Sequence, residues 1–410
     1  MNETYNSERP LVMHIDLNSC FATVEQQARP MLRNRPVVIV NRRTEHTMIV
    51  TASYEAKALG VKMGMSVKEA RTFAPGLVAL ESDPPKYRYV YHKLMDIMKS
   101  YSAHITMKSI DEGIIDFKQT TDAIKNRDLV DIGYEIKERL LSEVGNYMKC
   151  NVGISTNRFL AKTAASLHKP NGLDIITHEN LRDVMATLEL TDLTGIAGRN
   201  EARLNKVGIY TPLEFLDADP VTLQKMVFKS VNGMYWHQRL RGWEVDDVSY
   251  DVKTVGRQYV LEAFDLSRTQ ILQRLHHLCE SVGHRLRLQK KAARGVIVVV
   301  KSRTEGYWHA RHMSPLPFFS NQAIYAQAAM LFSKAPDEIT KISITCYELE
   351  DNAGDQLSLF GDQLAREEHV TEAIDEINRR FGDRTIHAAD TLGTGIYVKQ
   401  KVPFGSTRYL

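Results

Sequence analysis

The chain is poor in the features that mark secreted, membrane-spanning or zinc-bound proteins. Only four cysteines occur in 410 residues, Cys20, Cys150, Cys279 and Cys346, and none forms a CxxC pair. Such spacing argues against a zinc site or a disulfide frame and suits a reducing compartment. No apolar run is long enough to cross a bilayer, and the polar start from Met1 to Pro10 has no signal-peptide pattern. The expected location is the cytoplasm, with no membrane partner. There is no repeat at a fixed period, no low-complexity tract and little excess charge. At a formal net charge of +3, the distribution of charge matters more than its sum. What remains is ordinary globular composition, 43% hydrophobic and 25% charged, in a chain long enough for two to four domains.

Apolar patterning alternates strands and helices through the first half. Leu11 to Ile15, Pro36 to Val40, Met48 to Thr51, Ile105 to Ile110, Ile114 to Phe117 and Cys150 to Ser155 read as strands. Ser53 to Leu59, Ser66 to Thr72, Tyr87 to Tyr101 and Asp128 to Val144 read as helices. With residues 28–86 set aside as an insert, the order is β-α-β-β-α-β, the ferredoxin-like pattern. Residues 188–247 turn helical, punctuated by Gly195, Gly198 and Gly208, and a polar stretch near 248–253 reads as a linker. Ile271 to Gln289 (helix), Gly295 to Lys301 (strand) and Lys341 to Glu348 (strand) suggest a second α/β domain over 254–349. Residues 350–410 read as a tail with a helix from Val370 to Phe381. The fold class expected is multidomain α+β.

The residues that carry chemistry are acids. Ser109-Ile110-Asp111-Glu112-Gly113 joins two strand-like runs, and Asp16 closes another run about ninety-five residues upstream. Taken singly, Asp111-Glu112 reads as a polar hairpin tip and Asp16 as a residue opening a helix. Brought together, three carboxylates repel and raise one another's pKa, a cost that divalent cations relieve. The site therefore reads as metal-dependent nucleotide chemistry.

Longer blocks carry a resemblance. His14-Ile15-Asp16-Leu17-Asn18-Ser19-Cys20-Phe21-Ala22-Thr23-Val24-Glu25 resembles the first motif of the Y-family (translesion) DNA polymerases, and Ser109-Ile110-Asp111-Glu112 resembles their second. The match is most similar to the bacterial UmuC-like branch and covers roughly residues 11–360. It implies a right-hand polymerase with a ferredoxin-like palm (1–27 and 87–187) and a small fingers insert (28–86). A helical thumb with a helix-hairpin-helix (188–247) and an α/β little finger (254–349) would follow. Asp16, Asp111 and Glu112 would be catalytic. With the Leu17 carbonyl they would hold two Mg²⁺, Mn²⁺ being a substitute; Glu112 would serve the ion at the primer 3′-hydroxyl.

The resemblance also assigns the substrate residues. Phe21, by itself a core aromatic at helical spacing with Val24, would be the steric gate that rejects a 2′-hydroxyl. Cys20, Phe21, Thr51, Tyr54, Lys57 and Lys169 would bind the dNTP. Lys57 stands where many relatives have Arg, and a lysine holds phosphate as a point charge rather than a fork. Lys169 lies in His168-Lys169-Pro170-Asn171-Gly172, which as a bare pattern is a turn. Arg158 and Lys162, with Asn157, would face DNA. Thr194 to Arg199 is similar to a helix-hairpin-helix, in which Gly195, Gly198 and Arg199 would meet a phosphate; an ordinary inter-helix turn is the other reading, and Ala197 replaces the usual second glycine. From Ser281 to His312 there are eight Lys or Arg against one acid. A solvated helix face is the default for such a run. Its spread over a helix and a strand points instead to a phosphate-tracking patch through Arg285, Arg287, Arg294, Lys301 and Arg303, with Arg257 at its start.

Gln356-Leu357-Ser358-Leu359-Phe360 looks like a bacterial sliding-clamp peptide through Gln356, Leu357, Leu359 and Phe360, in an acidic stretch; an apolar plug on its own domain is the alternative. The partners implied are primer-template DNA, dNTP and the sliding clamp, with a recombinase filament or accessory subunit as further partners. A damage-response, error-prone polymerase without proofreading is the function implied. A non-catalytic DNA- and clamp-binding adaptor on the same scaffold is the rival, and a metal-dependent nuclease a third reading.

Overall fold

The computed structural model describes residues 5–248, 251–263, 265–351 and 362–399. Contacts divide the chain into two units, the first ending at Val248.

In the first unit, β1 (Val12–Leu17) is buried along nearly its whole length, as an apolar strand at the centre of a sheet must be. The insert holds β2 (Val37–Val40), β3 (Ile49–Ala52) and β4 (Val78–Glu81), a three-stranded sheet of order β3-β2-β4 with its own small core. The chain then returns through β5 (Ile105–Met107), β6 (Glu112–Asp116), β7 (Cys150–Ser155) and β8 (Leu173–Ile175). Their order is β5-β6-β1-β7-β8, with β1 antiparallel to both β6 and β7. Without β8 this is the ferredoxin arrangement.

Two helices cover one face of that sheet. Pro84–Lys99 opens three residues earlier than the pattern suggests, because Asp83 caps it and proline is favoured in a first turn. Leu129–Glu143 buries Leu129, Ile132, Ile136 and Leu140, the stripe that a 3.6-residue period places on one side. Both pack on Met13, Ile15, Leu17 and Ile115. The opposite face carries His14, Asp16, Ile114 and Gly153, and the helix Arg158–Leu167 lies against it, joining Ala161 to Val12 and Ile114.

Residues beyond 180 form short helices around Phe215, Leu204 and Trp236, with Trp236 stacked on Phe228 at 5.9 Å. Gly195, at φ +95°, takes the left-handed turn that opens the Gly198–Asn205 helix, a conformation that costs a residue with a Cβ.

The second unit is an antiparallel sheet of β9 (Thr254–Val260), β10 (Lys291–Ser302), β11 (Gly306–Phe318) and β12 (Ile339–Asp351), in the order β11-β10-β12-β9. Helices Arg268–Leu288 and Asn321–Phe332 pack their apolar sides with Val296, Val298, Val300, Ile342 and Ile344. The Asn321–Phe332 helix is not apparent in the sequence because alanines and apolar residues run all round it, leaving no polar period to detect.

Residues set apart as a tail belong in part to this unit. The Asp362–Phe381 helix and the segment to Lys399 return to the Arg268–Leu288 helix through Arg287–Asp375, Glu280–Arg384, His276–Asp390 and His277–Thr394. Gln356, Leu357, Leu359 and Phe360 lie outside the described residues.

Candidate active site

The β1–β6 ladder places Asp16 directly opposite Glu112. Glu112 is therefore the first residue of a strand and not part of a hairpin tip. Asp111 precedes it, and its carbonyl accepts a 2.8 Å hydrogen bond from the Leu17 amide, which ties the acidic turn to the end of β1. Burial pushes the Asp111 carboxyl above its ordinary pKa; a Ser109 hydrogen bond opposes this, and the charges of Asp16 and Glu112 add to it.

Each of the other two acids has a cation. Lys169 pairs with Asp16. Lys162 Nζ stands 2.6 Å from Glu112 Oε2, and His14 Nε2 is 3.1 Å from the same oxygen. Burial would raise the Glu112 pKa, yet the His14 and Lys162 contacts more than offset it and bring it down to about 2. Since a carboxylate only accepts, His14 carries its proton on Nε2; its Nδ1 is buried without a hydrogen-bond partner. With the side chains so paired, no three His, Cys, Asp or Glu residues converge on one point among the described residues.

Lys169 reaches the site because its loop is pinned from below. Asn18 donates to Asn151 at 2.7 Å, Asn151 donates to the His168 carbonyl at 3.1 Å, and the Asn171 amide donates to Asn18 at 2.8 Å. Lys57 follows from the short Tyr54–Ala58 helix, capped by Ser53, and donates to Ser19 at 2.7 Å. Burial and then the Lys169 charge lower the Lys57 pKa, so two cations crowd beside three acids. Tyr54 lies under Lys57, whose ammonium is 4.6 Å from the ring centroid. Its phenol is pushed up by burial and by Asp16. Thr51 sits on β3, two residues before the Ser53 that caps this helix.

Phe21 is 4% exposed and stacks on Tyr87 with centroids 4.3 Å apart. Cys20 is buried in the same core, where burial and then the charges of Asp111 and Asp16 push its thiol pKa well up.

Several expected DNA contacts are placed otherwise. Arg158 is buried and paired with Glu244 (3.1 Å) and Asp247 (2.5 Å), fastening its helix to the end of the unit. Lys162, on the same helix, lies at Glu112. In the second unit Arg287 grips Asp375 through both carboxylate oxygens at 2.6 and 2.8 Å. Arg257 donates to Ser281 and to the Val398 and Lys399 carbonyls; burial and the Arg285 charge bring its pKa down to about 10. Arg285 donates to the Gly256 carbonyl at 2.9 Å. Acids and carbonyls distant in sequence took these groups, and a count of charge along the chain does not reveal such partners. Arg294, Lys301 and Arg303 are exposed, as are Arg199, Gly195 and Gly198 in the first unit. Lys301 and Arg303 line a cleft of about 440 Å³ with Tyr307 and Lys341.

Sequence reasoning missed His14, Tyr87, Asn151 and Gly153. A Cβ on Gly153 would meet the Ala161 carbonyl oxygen at 2.0 Å and the Ala165 nitrogen at 2.2 Å. Only glycine lets the Arg158–Leu167 helix lie close enough for Lys162 to reach Glu112.

A family model described as the impB/mucB/samB family matches residues 15–166, and that of its C-terminal domain matches residues 252–359. DNA polymerase IV of Moorella thermoacetica is 33% identical over 397 residues, spanning 94% of this chain and 97% of that protein. DNA polymerase IV 1 of Bacillus subtilis is 28% identical over 395 residues, 93% of each. Among solved structures, a chain described as a Y-family DNA polymerase chimera aligns with a TM-score of 0.70 at 21% identity, covering 83% of this chain and 99% of that one. An insertion ternary complex of Dbh DNA polymerase aligns at 0.57 and 22% identity, with the same coverage. The chain belongs to the impB/mucB/samB family, the Y-family DNA polymerases.

Proposed function

We propose that this protein copies primer-template DNA past lesions, with low fidelity, by two-metal nucleotidyl transfer from dNTP to a primer 3′-hydroxyl. The observation that carries the reading is Asp16 held opposite Glu112 with Asp111 beside them. Asp111, raised in pKa by burial and by its two acidic neighbours, marks a surplus of negative charge that cations would relieve. The donors are hard oxygens, which fit Mg²⁺ or Mn²⁺; Asp16, Asp111, Glu112 and the Leu17 carbonyl would hold the ions. When bound, such ions lower the pKa of the attacking hydroxyl and steady the leaving pyrophosphate.

The chain's own residues would do the rest. Lys57 and Lys169, crowded against each other, would be relieved by a triphosphate, with Tyr54 and Thr51 beside it. Phe21, braced by Tyr87, would shut out a 2′-hydroxyl. Residues 1–27 and 87–187 would serve as palm, 28–86 as fingers, 188–247 as thumb and 254–349 as little finger. Gly195, Gly198 and Arg199 in the thumb and Arg294, Lys301 and Arg303 in the little finger would hold phosphates, setting affinity rather than sequence choice. The fingers insert is small, which supports a weak check on the nascent pair. Gln356, Leu357, Leu359 and Phe360 would bind a sliding clamp; changing Leu359 and Phe360 to Ala should abolish clamp binding and leave distributive synthesis intact. Primer extension with dNTPs and Mg²⁺ tests the whole: the wild type should extend, and Asp111→Ala and Glu112→Ala should not. No extension by the wild type would sink the reading.

A further inference from the structure

We propose that Lys162 is the counter-cation of Glu112 in the ion-free enzyme, and that it must leave this carboxylate before a divalent cation can use it. The proposal rests on the polymerase reading above and assigns Lys162 a positioning role within it.

Two donors converge on Glu112 Oε2: Lys162 Nζ at 2.6 Å and His14 Nε2 at 3.1 Å. Their freedom differs. His14 is 1% exposed, sits in the middle of β1 and has no room to withdraw. The Lys162 side chain is 32% exposed on a flexible four-carbon stem, next to a Glu112 side chain that is 18% exposed. His14 is therefore the fixed hinge pin of the carboxylate and Lys162 the movable partner. Asp16 repeats the arrangement with Lys169. Each of these two acids is thus paired with its own lysine.

A cation entering at Glu112 must compete with an ion pair already partly stripped of water, and removing one partner of such a pair leaves the other uncompensated. Lys162 leaves at least cost when another anion receives it. The anion at hand for this protein is a backbone phosphate of the primer strand. Strand binding and cation binding at Glu112 would then favour each other by the same factor, as linkage requires. The ion site would be completed only on a protein that already holds a primer.

The test is Mn²⁺ titration of the full-length protein followed by electron paramagnetic resonance, without nucleotide, and with or without a primer-template oligonucleotide. Glu112→Gln sets the background, and circular dichroism checks folding. Without DNA, Lys162→Met should bind Mn²⁺ about tenfold more tightly than the wild type, a factor within the ordinary range of coupling between sites. Lys162→Arg should stay near the wild type. Adding DNA should tighten Mn²⁺ binding in the wild type and leave Lys162→Met nearly unchanged. Unchanged or weaker Mn²⁺ binding by folded Lys162→Met, or by Lys162→Gln should the first variant not fold, overturns the proposal. Wild-type primer extension is scored separately, so loss of the polymerase reading and loss of this one are told apart.

Discussion

Gly153 faces His14 across the β1–β7 ladder, and the helix bearing Lys162 rests on that glycine. One residue without a side chain thus sets the distance between the Arg158–Leu167 helix and the strand pair that carries Asp16 and Glu112. His14 and Asp16, two apart on β1, share the face so covered.

Gly153→Ala should be severe, because the atoms its Cβ would meet are backbone and cannot rotate away. We expect a loss of about 1–3 kcal/mol in denaturant unfolding, the usual range for overpacking. Wild-type stability in this variant would contradict the close approach.

Phe21→Ala should act twice. Its ring is 4% exposed and stacked on Tyr87, so truncation should cost about 3 kcal/mol by large-to-small replacement in a core. Single-nucleotide insertion should also show a gain in rNTP use relative to dNTP. Unchanged sugar selectivity in a folded variant would refute the gate.

Arg287 and Lys301 should separate cleanly. The Arg287 side chain is 11% exposed and locked on Asp375. Arg287→Ala should destabilise the protein by about 2 kcal/mol while leaving the salt dependence of DNA binding unaltered. Lys301→Ala, at an exposed position, should change stability little and reduce the salt slope by about one. The reverse pattern would return Arg287 to the DNA interface.

Acid should weaken the second unit. His277 Nδ1 is 2.8 Å from Thr394 Oγ1, and burial followed by the Arg384 and Arg257 charges brings its pKa from 6.5 down to about 3. Between those values the unfolded chain holds a proton that the folded one lacks. Stability from this group is therefore full above about pH 6.5 and is lost as pH falls toward 3. Asp375, held far below its ordinary pKa by Arg287 and His284 against its burial, adds a further loss below about pH 4. Thermal melts should lose on the order of 1–2 kcal/mol between pH 7.5 and 5, and His277→Gln should flatten that part of the curve. A wild-type melt independent of pH over this range would refute the assignment.

The sequence by itself determined the main strands and helices of the ferredoxin-like pattern and the acids Asp16, Asp111 and Glu112. Hydrophobic period and motif order are local properties of the chain, and short-range sterics translate them directly. It did not show β4, β8, β9, β11 or the Asn321–Phe332 helix, whose patterns are too short, too irregular or too uniform to stand out. Tertiary structure alone decided which cation serves which acid. Lys162 and Glu112 are fifty residues apart, and their meeting depends on a glycine on a third element. The same holds for Arg158, Arg257 and Arg287, which resemble exposed lysines in composition and differ from them only in the distant carboxylates and carbonyls that fold over them. Charge is written in the sequence; its partners are set by packing.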